Sequence, residues 1–350
     1  MSFMNLDYLY ERAESGNGLE PYEARELFDR LNRIELPYAR EIATTLREDQ
    51  IGDKASLYTC LYISNECANA CPYCSYSSSN KELERRTLNL EQIEEEAKAI
   101  KKSGVSNVIL ISGTLPEGKY RDLIIDSTKL VKSLGLNPWI EFENLSKGTI
   151  RELSQIGAEH FLLFQETYDP EIYRKIHSKS RYKNNFSRRL ARGSEAYMDG
   201  FPNIGIGALL GLQEDIGLEI KSICEHANFL KEIGANVSIS LPSIKGSPDR
   251  RFRRPKSEDI EKAYITLRMA LPNVSLALSG REASNLRDRL FPVVDLIGTG
   301  GVTSPGGRTL NFDQKKSQQF PLTDRRSPNV IKSVLKDLEI EVVDDLVRGN

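Results

Sequence analysis

Short runs rich in Val, Ile and Leu recur along the chain, separated by longer stretches with one apolar face. Eight runs stand out: TCLYIS at 59–64, NVILIS at 107–112, PWIEF at 138–142, HFLLFQ at 160–165, NIGIGAL at 203–209, NVSISL at 236–241, NVSLALS at 273–279 and VDLIGTG at 294–300. Their length, composition and frequent introduction by Asn or Pro predict strands. Between them, Leu90, Ile93, Ala97 and Ile100 line one face of 89–103 with Glu and Lys opposite, and 119–134, 147–156, 217–233 and 257–270 repeat the pattern. Gly104, Gly135, Gly157 and Gly234 fall just past predicted helix ends, where a C′ residue belongs. Strands alternating with helices predict parallel βαβ units. Eight is the number that closes a barrel, so the expected fold class is α/β, a (β/α)8 TIM-type barrel rather than an open doubly wound sheet.

Residues 1–50 read as two helices with Pro21 and Pro37 near their starts, expected to cap one end of a barrel spanning 51–305. A Gly/Pro-rich loop, GGVTSPGG, leads into 306–350, a short extension that packs on the barrel and holds a final helix near 327–338. No linker divides the chain. With 39% hydrophobic and 28% charged residues, the 350-residue chain has an ordinary globular balance. Lys plus Arg number 48 against 50 Asp plus Glu, a net charge of −2, which argues against a general nucleic-acid or membrane-surface binder. The longest apolar runs are strand-sized, and MSFMNLDYLYERAESGNG lacks a signal-type apolar core, so a cytoplasmic protein is expected.

The cysteines are Cys60, Cys67, Cys71, Cys74 and Cys224, an odd number with three inside eight residues, which is no disulfide framework. Cys67-x3-Cys71-x2-Cys74 follows the first strand, and in a parallel barrel residues after a strand lie on the face where catalytic groups collect. Three thiolates from one loop can wrap three irons of a [4Fe–4S] cube and leave the fourth iron to an exogenous ligand, whereas such clusters otherwise take four thiolates. A zinc knot is the plainer alternative. It needs a fourth ligand, and Cys60 lies within the strand while His160, His177 and His226 are distant. Cys60 and Cys224 read as packed core residues.

With Tyr73 before the last Cys and a strand just upstream, the motif resembles the signature of radical S-adenosylmethionine (SAM) enzymes. The resemblance implies a [4Fe–4S] cluster whose open iron chelates the amino and carboxylate groups of SAM. It implies reductive cleavage of SAM to methionine and a 5′-deoxyadenosyl radical that abstracts a hydrogen atom, with flavodoxin or ferredoxin as the kind of low-potential electron donor. Over roughly residues 55–345, FQETYDPEIYRKIH (164–177), NIGIGALLGL (203–212), VSISLP (237–242), LALSGRE…LRDRL (276–290) and QQF…DRRSP (318–328) resemble aromatic amino-acid lyases. That group holds the tyrosine lyases of thiamine synthesis (2-iminoacetate synthase) and of [FeFe]-hydrogenase maturation, and tryptophan lyases. QETYD…YRK is also similar to methylornithine synthase, and the N-terminal half to the biotin-synthase-like group.

The resemblance assigns roles. Glu166, after the fourth strand, is expected to accept hydroxyl hydrogen bonds from the SAM ribose, the alternative being a surface ion pair with Arg188 or Arg189. Arg189, or Arg188 beside it, would fork onto the SAM carboxylate, against a solvated basic run. Tyr73 joins the cofactor site, and Ser112-Gly113-Thr114 would offer backbone to the SAM amino group, although the lyases carry Glu where Thr114 stands. Gly205, Gly207 and Gly211 lie in a strand and its exit, unlike a dinucleotide fingerprint, and Gly207 is expected to let the adenine approach the backbone. Arg281 would take the substrate carboxylate, as the Arg of the lyases' STRE motif does, with Gly280 here replacing Thr; the alternative is an ion pair with Glu282 or Asp288. Thr299 is a further candidate for holding the substrate, and Asp324, Arg325 and Arg326 are expected to be structural.

Ile109, Ser238 and Ser279 stand where methylornithine synthase carries acidic and Arg groups for lysine, which disfavours lysine. No Cys follows Cys224, so the second cluster of the hydrogenase-maturation lyase, and carbon monoxide and cyanide production with it, are not expected. The leading reading is Cα–Cβ cleavage of tyrosine or a close analogue to a dehydroglycine-type fragment and p-cresol, in cofactor biosynthesis with a possible pathway partner protein. The N-terminal helices are expected to help exclude water. One rival is a cofactor-maturation or carbon-skeleton rearrangement enzyme of the [Fe]-hydrogenase-cofactor or methylornithine-synthase type. Another, from a different class, is a non-catalytic metal-binding scaffold.

Overall fold

All eight apolar runs form strands, and the strands close on themselves. The computed structural model describes residues 5–344 and 346. Three helices, α1 (Leu6–Glu14), α2 (Pro21–Arg30) and α3 (Leu36–Ile51), precede β1 (Lys54–Ser64). Then follow α4 (Leu90–Lys102), β2 (Asn107–Ser112), α5 (Glu117–Ser133), β3 (Asn137–Glu141), α6 (Lys147–Gln155), β4 (His160–Leu162), α7 (Pro170–His177), α8 (Phe186–Met198) and β5 (Asn203–Gly207). The chain continues through α9 (Ile216–Glu232), β6 (Asn236–Ser240), α10 (Ser257–Ala270), β7 (Ser275–Leu278), α11 (Ser284–Leu290), β8 (Leu296–Gly298), α12 (Pro328–Asp337) and β9 (Glu341–Val343). β1 to β8 are parallel in sequence order, and β1 pairs with both β2 and β8, which completes the barrel. β1 starts five residues before the apolar run predicted, and its first residues, Lys54 to Ser56, carry β9 as a ninth strand outside the barrel.

The alternation of the strands separates two cores. Outward residues such as Leu57, Leu61, Val108 and Ile140 pack against the helices, while Tyr58, Ile109, Trp139, Leu162, Ala277 and Leu296 fill the interior. Trp139 stacks on Tyr58 at 5.7 Å and on His160 at 4.3 Å, plugging the barrel below its C-terminal mouth. His160 is therefore a buried neutral imidazole, its pKa lowered to about 4 by burial. The four glycines predicted to end helices all take positive φ: 75° at Gly104 and Gly135, 95° at Gly157 and 99° at Gly234. Among the described residues no helix is long and apolar enough to cross a membrane.

The N-terminal helices differ from expectation in number: they are three, and they pack against α9 and α10, with Arg47 of α3 donating to Val294 O at the foot of the barrel at 3.1 Å. Leu19 N donates to Ala270 O at 3.1 Å, Arg25 pairs with Asp215 at 2.7 Å, and Arg40 pairs with Glu261. Amphipathic faces tell that a helix packs, not which neighbour it meets. α7 and α11 are only 8 and 7 residues long, and α8 carries Arg188, Arg189 and Arg192 among its small residues, so none shows a broad apolar stripe.

The foot of the barrel holds a fully buried ion pair, Arg268 Nη2 to Asp295 Oδ2 at 2.6 Å. Arg268 also donates to the carbonyls of Val293, Pro272 and Val274 at 3.1, 2.9 and 3.0 Å, and Asp295 accepts from Leu276 N at 2.7 Å. Removing one partner strands a buried charge and several acceptors. Arg268→Met is expected to lower unfolding free energy by about 3–5 kcal/mol, read from the shift in a urea melt; an unchanged midpoint would contradict this account.

Candidate active site

A cavity opens at the C-terminal ends of the strands, and several strand exits add different chemistry to its wall. The loop after β1 brings Cys67, Asn69, Cys71, Tyr73 and Cys74; β2's exit brings Ser112, Gly113 and Thr114; β3 contributes Glu141 and, just beyond, Glu143. Glu166 follows β4, Lys183 and Arg189 come from α8 and its approach, and Arg281 follows β7. Gln319 and Phe320 reach the wall from the segment after the barrel. Among the described residues of 1–50, none lines the cavity wall.

The cysteine loop is tied down at many points. Arg85 donates to the carbonyls of Asn65, Tyr76 and Ser77 at 2.7, 2.8 and 2.7 Å, and Asn65 donates to Glu84 O and Ser317 O at 2.9 and 3.1 Å. Ala68 N donates to Thr114 O at 2.7 Å, and Gly113 is required there because a Cβ would meet Glu66 O and Cys67 Cβ. Polar groups stand beside each sulfur: Asn69 N lies 3.4 Å from Cys67 Sγ, Ser180 Oγ 3.4 Å from Cys71 Sγ, and Gln319 Nε2 3.6 Å from Cys74 Sγ. Burial pushes all three thiols up, Cys71 to about 11, and each is raised further by another of the three. Three thiolates gathered there need a compensating cation.

The donor set fits an iron–sulfur cluster better than zinc. Among the described residues no group of three or more His, Cys, Asp and Glu side chains stands close enough to share one metal ion. A cube instead places each thiolate on its own corner. The histidines are committed elsewhere: His177 Nε2 to Tyr73 Oη and His226 Nδ1 to Tyr168 Oη, both at 2.8 Å, and His160 within the barrel plug. Cys224 is buried core, as read; Cys60 also faces the cavity floor, its thiol pushed up to about 12 by burial.

Beside the thiols lies a buried chain of charges. Glu166 pairs with Lys183 and stands 3.5 Å from Arg189 Nη2; Arg189 Nη1 lies 2.6 Å from Glu143 Oε1, and its Nε donates to Phe164 O at 2.7 Å. Glu143 also accepts from Thr114 Oγ1 at 3.0 Å. Burial pushes the Glu166 carboxyl up, but Lys183 and Arg189 outweigh it and hold it at about 2. Glu166 adopts φ 75°, a strained conformation for a non-glycine residue, which turns its side chain toward these cations. The alternative of a surface pair is thus half right: Glu166 is ion-paired with Arg189, but inside the cavity wall.

Among the described residues, Arg281, Glu141 and Lys245 of the wall make no such pairs. The Arg281 guanidinium stacks on Phe320, Cζ 3.4 Å from the ring centroid, and the alternative partners are taken: Glu282 by Arg254 at 2.6 Å and Asp288 by Arg326 at 2.7 Å. Glu141, at the end of β3, is raised to about 7 by burial and then by Glu166.

Three expected site residues lie elsewhere. Arg188 lines a separate shallow recess with Asn144, Tyr182 and Arg192, because the turn of α8 that buries Arg189 points its neighbour away. Gly207 is absent from the cavity wall; a Cβ there would overlap Ser240 O, so its close approach serves β5–β6 packing. Thr299 is buried with Oγ1 unpartnered outside the wall, while its N donates to Tyr58 O at 2.9 Å. Asp324 pairs with Arg287 and Arg326, as structural residues do, whereas Arg325 makes only a 3.5 Å contact with Leu322 O. Sequence reasoning missed Glu141, Glu143, Lys183 and Gln319. The acids in WIEFE stand at a strand exit as Glu166 does and were open to the same inference; Lys183 lies in a polar stretch without pattern, and Gln319 lies in the QQF segment, where the resemblance gave its side chain no role.

Comparisons agree with this geometry. The model of the radical SAM superfamily matches residues 61–217. The chain is 29% identical over 300 residues to 2-iminoacetate synthase of Salmonella typhimurium, covering 84% of this chain and 78% of that one. It is 28% identical over 281 residues to 3-methylornithine synthase of Methanosarcina acetivorans, covering 80% and 78%. Among solved structures, the FeFe-hydrogenase maturase HydG from Carboxydothermus hydrogenoformans superposes with a TM-score of 0.87 at 30% identity, covering 96% of this chain and 79% of that one.

Cys67→Ala, Cys71→Ala and Cys74→Ala are each expected to reduce iron after anaerobic reconstitution from about four atoms per chain to a small residue. Iron and sulfide assays check this; full iron in Cys71→Ala would refute the ligand assignment.

Proposed function

The chain belongs to the radical SAM superfamily, and from that premise we propose that it is a carbon–carbon lyase acting on tyrosine or a closely similar aromatic amino acid. Members of this superfamily are enzymes that use a [4Fe–4S] cluster and SAM, and Cys67, Cys71 and Cys74 are the residues to hold the cluster. When bound, the pair supplies a 5′-deoxyadenosyl radical that removes a hydrogen atom from the substrate. Glu166 offers a carboxylate held ionised for ribose hydroxyls, Arg189 a fork for the SAM carboxylate, and the backbone of Ser112 to Thr114 on the cavity wall an acceptor for its amino group. Arg281 anchors the substrate carboxylate. Ile109, Ile111, Leu163 and Leu209 give the wall apolar surface that excludes water from the reacting centre.

The observation that carries the reading is Arg281: a guanidinium on the cavity wall, stacked on Phe320, with no hydrogen bond or ion pair to any described side chain. A cation held in place without an anion favours an anionic ligand. Resemblance and relatives favour the lyase over rearrangement, while Thr114 and Gly280, which depart from the lyase pattern, support carbon-skeleton rearrangement of an amino acid as the second reading.

Reconstituted protein incubated with SAM, dithionite and tyrosine is expected to yield deoxyadenosine together with p-cresol, identified by mass spectrometry. Deoxyadenosine without p-cresol would discard tyrosine cleavage. In an active system, Arg281→Ala is expected to lower kcat/KM on the order of 10²-fold, chiefly through KM, since losing a charged hydrogen-bonded partner costs about 2–4 kcal/mol.

A further inference from the structure

The cavity's charges fall into two sets, and the second set is unexplained by cofactor binding. Glu143 and Glu166 are each satisfied by Arg189 and, for Glu166, by Lys183. Glu141 is different. Its carboxylate lines the cavity but makes no hydrogen bond or ion pair with any described residue, although it lies deep enough for burial to penalise its charge. A carboxylate turned into a cavity with no partner in the wall is open to a hydrogen-bond donor brought by a ligand. The charges around it are Glu166, Arg189, Arg281 and Lys183, near enough to influence it and none in contact. Two cations of the same wall likewise make no ion pair with a described residue, Arg281 and Lys245, and Arg281 is the one whose charge acts on Glu141.

The strand order places the two across from each other. β3, which ends in Glu141, and β7, which precedes Arg281, are separated by three strands in either direction around the eight-stranded ring. An acid and a base projecting inward from opposite walls, within electrostatic range but apart, make a receptacle for a ligand carrying both charges on groups attached to one carbon. An α-amino acid is such a ligand: its carboxylate forks onto the guanidinium while its ammonium donates to the opposite carboxylate.

We propose that Glu141 receives the α-amino group of the substrate, so that with Arg281 it selects a free α-amino acid bound as a zwitterion across the barrel mouth. This rests on the assignment of Arg281 to the substrate carboxylate, but not on which bond is subsequently broken. The site accordingly discriminates against acids lacking the amino group and amines lacking the carboxylate, because each leaves one buried charge unpaired.

The test is equilibrium binding by calorimetry to anaerobically reconstituted, SAM-loaded protein without reductant. The ligands are the proteinogenic L-amino acids, 3-(4-hydroxyphenyl)propanoate and tyramine. Expected is that at least one amino acid binds, that Glu141→Gln weakens it at least tenfold, and that the variant and the wild type bind the deaminated acid equally weakly. Glu141→Gln keeps the shape, and an unchanged cluster spectrum and SAM affinity exclude misfolding as the cause. Binding of the amino acid by Glu141→Gln with wild-type affinity would overturn the proposal, as would failure of every amino acid to bind the wild-type protein. Glu141-dependent binding followed by deoxyadenosine without a cleavage product would uphold the proposal and overturn the lyase reading alone.

Discussion

The closure of the barrel at β1 is the constraint on which the site depends. β1 pairs with β8 through Ser56 to Tyr58 and with β2 from Tyr58 onward, so it is both the seam of the ring and the stalk of the cysteine loop. Beyond it the chain loops out and returns: Asn65 N donates to Arg86 O at 3.0 Å and Leu88 N to Ile63 O at 2.9 Å. The loop between is thus pinned at its neck to the most heavily paired strand, stapled inside by Arg85, and backed by Gly113 on the neighbouring strand exit. Precise placement of ligating groups requires that their own supports be rigid, and here the supports are the barrel's closing hydrogen bonds.

The second principle is the handling of buried charge. In a medium of low dielectric an ionised group needs a partner, and the cavity wall meets this in two ways. Glu143, Arg189, Glu166 and Lys183 satisfy one another, so they stay charged and oriented before any ligand arrives. The backbone strain at Glu166 is held by its neighbours, with Leu209 N donating to Glu166 O at 2.8 Å and a bridge to Ala208. Arg281 is instead supported through its flat face by Phe320, leaving its donors free. Paired charges prepare the wall, and unpaired ones await what enters.

How much of this was legible in the chain follows from what each feature depends on. The eight strands and their order were readable because a strand in a parallel sheet is an apolar run, and the helix ends because glycine marks a left-handed C′. The cysteines were readable because their spacing is local. The position of the N-terminal helices was not, since α2 and α3 are recognised by α9 and α10 through contacts some two hundred residues away in sequence. Gly207 shows a related limit: a glycine permits close approach without saying of what, and a Cβ there would meet Ser240 O of β6. Arg188 and Arg189 were indistinguishable in SRRLAR until the turn of α8 buried one and pointed the other outward. Gln319 and Phe320 arrive from a polar segment outside every periodic element, and only the folded chain brings them to the thiols and to Arg281.

Thr114 shows how a departure from a family pattern can leave the local electrostatics intact. Where similar lyases carry Glu, this chain has a hydroxyl, and a reading of position 114 by itself removes a negative charge from the cofactor side of the cavity. The hydroxyl, however, donates to Glu143 at 3.0 Å, and that carboxylate comes from the exit of the adjacent strand β3. Glu143 also contacts Arg189 at 2.6 Å and accepts from Asn69 Nδ2 at 3.4 Å, so it joins the cysteine loop to the charged chain. A carboxylate therefore still stands beside residue 114. Because neighbouring strand exits in a barrel face one cavity, a carboxylate on β3's exit reaches the same wall as a side chain on β2's exit, and position 114 has to be read together with Glu143.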